Sequence, residues 1–298
     1  MLFRARPQTS DRRFSTLVAT CALGSSALLL ADALPALAQS AGQSALPGGS
    51  PEAVAKKRWG LLLNSNLSSS LHAFNDPNHS ASADLWIMPS YALSSKWRLT
   101  GVLVVGKDLT GERLTTLSRT DLGAAWAGTP LNPFLRLTAA TGVRLPFATH
   151  ARDRQSLVSA LKFSPRLLLN LEPAGLSSVS AFYESSVLLN FHEFQTATTG
   201  RPNTQVSWTQ SVSGTWAPGE KFSSTTSFGW INAWTYGGFR SNSFSLDQQF
   251  SWQFNPTVGV SLGIGNSGSP LKPNGTESAI SLIDPENSQA YCSLSLSL

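Results

Sequence analysis

The last nine residues, Ala290-Tyr291-Cys292-Ser293-Leu294-Ser295-Leu296-Ser297-Leu298, place Leu298, Leu296, Leu294, Cys292 and Ala290 on one face and chiefly serine hydroxyls on the other. Successive side chains of a strand point to opposite sides, so this is a strand with one apolar face. The habit recurs throughout the chain. Residues 58–71 carry Trp59, Leu61, Leu63, Leu67 and Leu71 in the same period, residues 84–93 carry Leu85, Ile87, Tyr91 and Leu93, and residues 96–105 carry Trp97, Leu99, Leu103 and Val105. Segments 114–127, 134–147, 157–171, 176–191, 204–216, 221–234, 244–254, 257–264 and 289–298 continue it, giving about twelve strands. Each is near or somewhat beyond the ~9–11 residues that a tilted strand needs to cross a bilayer.

The connections alternate as regularly as the side chains. Short links at residues 94–95, 128–133, 172–175, 218–219 and 255–256 take turns with longer polar ones at 73–83, 106–113, 148–156, 192–203, 235–243 and 265–288. With an even strand count, this gathers the short turns at one end of the sheet and the long loops at the other.

The N-terminus follows a different plan. Arg4, Arg6, Arg12 and Arg13 precede an apolar stretch from Leu17 to Leu30, and Ala36-Leu37-Ala38 stands before Gln39. Residues 1–38 therefore read as a cleaved signal peptide, because the apolar run, closed by Asp32, is shorter than the roughly 20 residues of a spanning helix. Residues 39–55, rich in Gly, Ser, Pro and Ala and without period, form a flexible leader, and residues 56–298 form the strand array. Without 1–38 the chain keeps 18 basic and 15 acidic side chains, a net charge of +3. No Lys/Arg-rich run or aromatic-basic interleaving suggests a nucleic-acid partner. Cys292 then stands alone, which leaves neither an intramolecular disulfide nor a cysteine metal site.

The export signal, the one-sided strands and the alternating C-terminal strand together resemble the bacterial outer-membrane β-barrels. The fold implied is all-β, an antiparallel transmembrane β-barrel of about twelve strands in the outer membrane of a Gram-negative bacterium. Short turns would lie in the periplasm and long loops outside. The resemblance implies two partners, outer-membrane lipid along the barrel wall and the barrel-assembly machinery at the C-terminal strand. Chains of this class typically end in Phe or Trp, whereas this one ends in Leu298. Composition agrees: charged residues are 13% of the chain, as expected when lipid-facing apolar positions alternate with polar ones facing a lumen. Trp59, Trp97, Trp126, Trp216, Trp230, Trp234 and Trp252 lie mostly near strand ends, where amphipathic rings suit the headgroup level.

Chemistry-bearing motifs are sparse. His72, His79, His150 and His192 all fall in or beside long loops. An enzyme of the outer-membrane lipid hydrolase kind would need one of them, His192 beside Glu193 first, to meet a serine hydroxyl and an orienting third group. No Gly-x-Ser-x-Gly or His-Glu-x-x-His is present. His72, Asp76 and His79 share one loop, but Asn75, Pro77 and Asn78 mark it as an ordinary turn rather than a metal site. Asn274-Gly275-Thr276 matches a glycosylation acceptor pattern and reads as loop chemistry.

The face opposite the leucines points into the barrel. With Leu99, Leu135 and Leu167 toward lipid, Arg98, Arg136, Arg144, Lys162 and Arg166 point inward, joined on the fourth strand by Arg119 and Asp121. Strands three to six thus set six positive groups against one carboxylate, with Glu184 on strand seven as a partial counterweight and Asp84 and Asp247 elsewhere. Strands eight to twelve present Ser207, Thr209, Ser211, Ser213, Thr225, Ser245, Gln249, Ser261, Ser293 and Ser295. Confined charge in a low-dielectric wall biases ion entry. The leading expectation is passive passage of small polar solutes, with anions or sugar-like polyols favoured. Arg98, Arg119, Arg136, Arg144, Lys162 and Arg166 would be fixed charges along the path, with no catalytic residue, metal or cofactor. Two alternatives stand beside it. If the arginines pair with carboxylates and fill the interior, the barrel is structural or adhesive and acts through its loops; if a rim histidine meets a serine, it is a lipid-modifying enzyme.

Overall fold

The computed structural model describes residues 58–298 apart from 112, 273, 274 and 285, so the expected signal peptide and leader lie outside the described residues. Twelve strands follow in order: β1 (Trp59–Ser70), β2 (Ala81–Ala92), β3 (Trp97–Asp108), β4 (Thr115–Pro130), β5 (Leu135–Arg144), β6 (Leu157–Asn170), β7 (Val179–His192), β8 (Thr204–Trp216), β9 (Phe222–Thr235), β10 (Arg240–Gln253), β11 (Val258–Gly268) and β12 (Ser288–Ser297). Each pairs antiparallel with its sequence neighbours, and β1 pairs with β12 to close the barrel. The seam runs from Leu62 opposite Ser297 to Ser70 opposite Gln289. Leu298 extends it by exchanging backbone hydrogen bonds of 3.1 and 2.8 Å with Leu61. In hydrocarbon no water can satisfy an open edge, so a sheet that crosses a membrane has to close on itself.

Burial is inverted relative to a water-soluble protein. Ser164, Ser211 and Ser213 are 2–3% exposed, whereas Leu122, Phe163 and Val212 are more than 50% exposed. The apolar positions form an outward belt too extensive for a surface in water. At the end that carries the short turns, aromatic rings gather on the outside. Trp59 lies 4.6 Å from Tyr91, and Phe222 lies 6.4 Å from each of Trp216, Phe250 and Trp252. Such a girdle matches the headgroup level of a bilayer.

The inward and outward sets can be tested one residue apart. Leu137 faces out opposite Leu167, and Thr138 faces in opposite Arg166. A cation at the midplane of a barrel's lipid face costs about 2–4 kcal/mol. Leu137→Arg is therefore expected to hinder assembly while Thr138→Arg is better tolerated, read as the folded fraction in a heat-modifiable gel shift. Equal damage would mean that the two faces are assigned wrongly.

Side chains build the short turns. Asn132 Oδ1 accepts the backbone N–H groups of Phe134 and Leu135 at 2.9 and 2.8 Å, and Asn255 Oδ1 accepts those of Thr257 and Val258 at 2.8 and 2.9 Å. Ser94 Oγ does the same for Lys96 and Trp97. These are turns in which a side-chain oxygen stands in for a backbone carbonyl.

Three boundaries depart from the alternation. β5 stops at Arg144, where residues to 147 were expected, because Pro146 has no N–H for the ladder. The chain instead makes a helical turn, α1 (Thr149–Asp153), in a loop whose sequence shows no helical period. β10 starts at Arg240 rather than at residue 244, and β11 runs on to Gly268. In both extensions the outward positions are polar or small, as with Asn242 and Asn266, so the one-sided signal fades before the pairing does.

Candidate functional site

The six basic residues singled out from the sequence all occupy inward register positions. One local irregularity arranges this on β4: a bulge between Val104 and Val105 leaves Ser118 extra, so Leu117 opposes outward Val105 while Arg119 opposes inward Val104. Asp121 and Arg144 are directly opposite on β4 and β5. Asp121 is then bracketed, its Oδ2 taking Arg119 Nε at 2.5 Å and its Oδ1 taking Arg144 Nε at 3.0 Å. One strand on, Arg166 gives Glu184 Oε2 two hydrogen bonds, of 2.9 and 2.5 Å, and its guanidinium carbon stands 4.4 Å from the Phe182 ring centre. Arg119, Asp121, Arg144, Arg166 and Glu184 are all at most 16% exposed in their side chains.

Lys162 differs from these. It opposes Gly142, which opposes Gly123, so no side chain from β4 or β5 stands beside it on its row. A Cβ on Gly123 would run into the Thr141 carbonyl, which keeps this gap open. Among the described residues Lys162 has no ion-pair partner. The strand wall from β4 to β7 therefore carries less bare charge than its composition suggests. Three of the six cations are in ion pairs, Arg98 and Arg136 lie exposed toward the short-turn rim, and Lys162 is the interior cation without an ion pair among the described residues.

The wall of β8–β11 is built largely of hydroxyl pairs. Ser213 meets Ser227 at 2.8 Å, Thr215 meets Thr225 at 3.0 Å and Ser251 meets Ser261 at 3.0 Å, each across neighbouring strands. Asp247 is placed here in a way the sequence did not reveal. Tyr291 O–H donates to both Asp247 oxygens, at 2.9 and 2.8 Å, by lying across the intervening strand β11. The ring occupies the space of a missing side chain at Gly263, where any Cβ would collide with it.

Rim chemistry is thin. His72 Nδ1 is 3.7 Å from Asp76 Oδ2, and His79 Nε2 is 3.3 Å from Ser69 Oγ with its ring against Phe74. Ser69 and His79 are thus a serine–histidine contact, but no carboxylate orients His79 among the described residues. His192 sits edge-on to Tyr236 with its Nδ1 buried and unbonded, and Glu193 engages through its backbone, not with His192. Among the described residues no three His, Cys, Asp or Glu side chains gather as a metal site. A polar cleft of about 270 Å³ opens between the first and last long loops, with His72, Asn78, Glu286 and Ser288 in its lining.

No protein-family model and no curated protein matches the chain. Solved structures do. An outer membrane channel from Pseudomonas putida F1 superposes with a TM-score of 0.55 at 11% identity, over 85% of this chain and 100% of that one. The NanC porin superposes with a TM-score of 0.52 at 7% identity, over 79% of this chain and 98% of that one. At such identities the likeness is one of fold, and the fold is that of outer-membrane channel barrels.

Proposed function

We propose that the chain is an outer-membrane channel for passive passage of small polar solutes, with anions favoured over cations. The observation that carries this reading is the inward cationic cluster of β4–β6, in which Lys162 stands unpaired beside Gly123 and Gly142 while Arg119 and Arg144 share one carboxylate. A fixed positive excess in a confined pore lowers the barrier for anions and raises it for cations. Each of Arg98, Arg119, Arg136, Arg144, Lys162 and Arg166 acts as a charge along the path, without covalent chemistry. The fold shared with an outer membrane channel and the NanC porin supports the same reading. Residues 1–38 serve as the export signal and 39–55 as the leader. The apolar belt meets outer-membrane lipid, and β12 presents its alternating strand to the assembly machinery.

The decisive measurement is the reversal potential of purified protein in a planar bilayer under a potassium chloride gradient. The expected sign is that of a chloride-preferring pore at low salt, with the preference shrinking at 1 M, where screening falls to about 3 Å. A cation-preferring pore, or a silent bilayer with correctly folded protein, would remove this function.

A further inference from the structure

One sector of the inner wall is neither charged nor hydroxylated. Leu62, Trp86, Met88, Val102 and Val104 take inward positions on the adjacent strands β1, β2 and β3. The register fixes this. Trp86 opposes Val104, Val104 opposes Arg119, Val102 opposes Asp121, and Leu62 opposes Met88; residues directly opposite in a sheet share a face. The lipid-facing positions of the same strands are filled separately, by residues such as Leu85 and Leu99, each more than 40% exposed. The apolar sector therefore lies inside the barrel and borders the cationic one.

We infer that the lumen selects amphipathic organic anions, in which a carboxylate meets the β4–β6 cations while an aromatic or short aliphatic body lies on the Trp86 sector. Trp86, Val104 and Arg119 occupy one register row, with backbones of the outer two roughly 10 Å apart at ~4.8 Å per strand. That span suits a ring of benzoate size held between two long side chains. Water against Leu62, Met88 and Val102 is less favourable than an apolar surface in its place, and a ring adds dispersion and face contacts with the indole. Arg166 packed on Phe182 repeats the pairing of cation and ring within the same lumen. For its cationic half the inference rests on the anion-channel reading; its apolar half does not.

Benzoate and gluconate separate this from a preference for polyhydroxylated anions, which the serine-lined strands β8–β12 would otherwise favour. Each is titrated against chloride current in a bilayer and, in parallel, against the detergent-solubilised barrel by calorimetry. Benzoate is expected to block the current and bind, and gluconate to do so at least several-fold more weakly. Trp86→Ser should weaken benzoate roughly ten-fold, the effect of removing one well-buried aromatic contact, and leave gluconate unchanged. Met88→Ser should act in the same direction to a smaller degree, and the heat-modifiable gel shift identifies variants that fold. Equal affinity for the two anions, or benzoate binding untouched in both folded variants, overturns the inference. A silent bilayer with benzoate still bound in calorimetry, and lost in Trp86→Ser, rejects the channel while sustaining the site.

Discussion

Lys162→Glu is expected to convert the channel from chloride-preferring to cation-preferring at low salt. The other interior cations are largely compensated: Arg166 by Glu184 at 2.5 Å, and Arg119 with Arg144 by Asp121. Replacing Lys162 changes the fixed charge by two units at an interior cation that has no ion pair among the described residues and meets the charges of Glu184 and Asp121 only beyond ion-pair distance. With Asp84, Asp108 and Asp247 also on inward positions, the six inward cations face five carboxylates in the parent, and the replacement reverses that excess. At 0.1 M salt the screening length is about 10 Å, so a charge on the wall acts across a narrow lumen; at 1 M it does not. The reversal potential should therefore change sign in dilute salt and approach zero in concentrated salt. Arg98→Glu makes the same formal change at the exposed short-turn rim, where more water intervenes, and is expected to shift the potential in the same direction by much less. A larger shift from Arg98 than from Lys162 would move the selectivity element from the interior to the rim.

The alternation that made the barrel legible is strongest where both faces are chemically uniform. β8 begins and ends at Thr204 and Trp216, as its period says, because serine or threonine fills nearly every inward position and tryptophan or valine most outward ones. β10 is harder. Its first pairs are polar on both faces, with Arg240 donating to Asn242 and Asn232 on the outside, so the sequence there looks like loop. Parity also placed all six cations inside, yet it could not pair them. Asp121 reaches Arg144, and Arg166 reaches Glu184, only through registers set between strands, and a shift of two residues would have left the same composition with different partners. The inward placing of Trp86 and Met88 follows from the outward placing of Leu85 and Ile87, but four consecutive apolar residues in the middle of β2 give no alternation that marks either face. The contact of Tyr291 with Asp247, two strands away, depends on an absent side chain at Gly263 on the strand between them, which periodicity does not encode.

Asp121 is where stability and selectivity are expected to part. Asp121→Leu removes the one carboxylate that Arg119 and Arg144 share, leaving two guanidinium groups that are 9% and 13% exposed in their side chains. Breaking a buried ion pair from one side costs about 3–5 kcal/mol, because the surviving charge keeps its desolvation without its partner. The cluster keeps 9–16% side-chain exposure, so the lower end applies, on the order of 3 kcal/mol. The urea midpoint for unfolding from lipid vesicles should fall accordingly, and the protein that does fold should prefer chloride more strongly than the parent, since a negative charge has left the wall. Adding Arg119→Met and Arg144→Met to the same chain replaces the cluster by apolar groups of similar length. Such replacements are often neutral or stabilising, so most of the lost stability should return while the chloride preference falls below that of the parent. If the single and triple variants lose equal stability, Asp121 matters by its shape in the wall; recovery of stability without loss of preference would place the anion path away from this cluster.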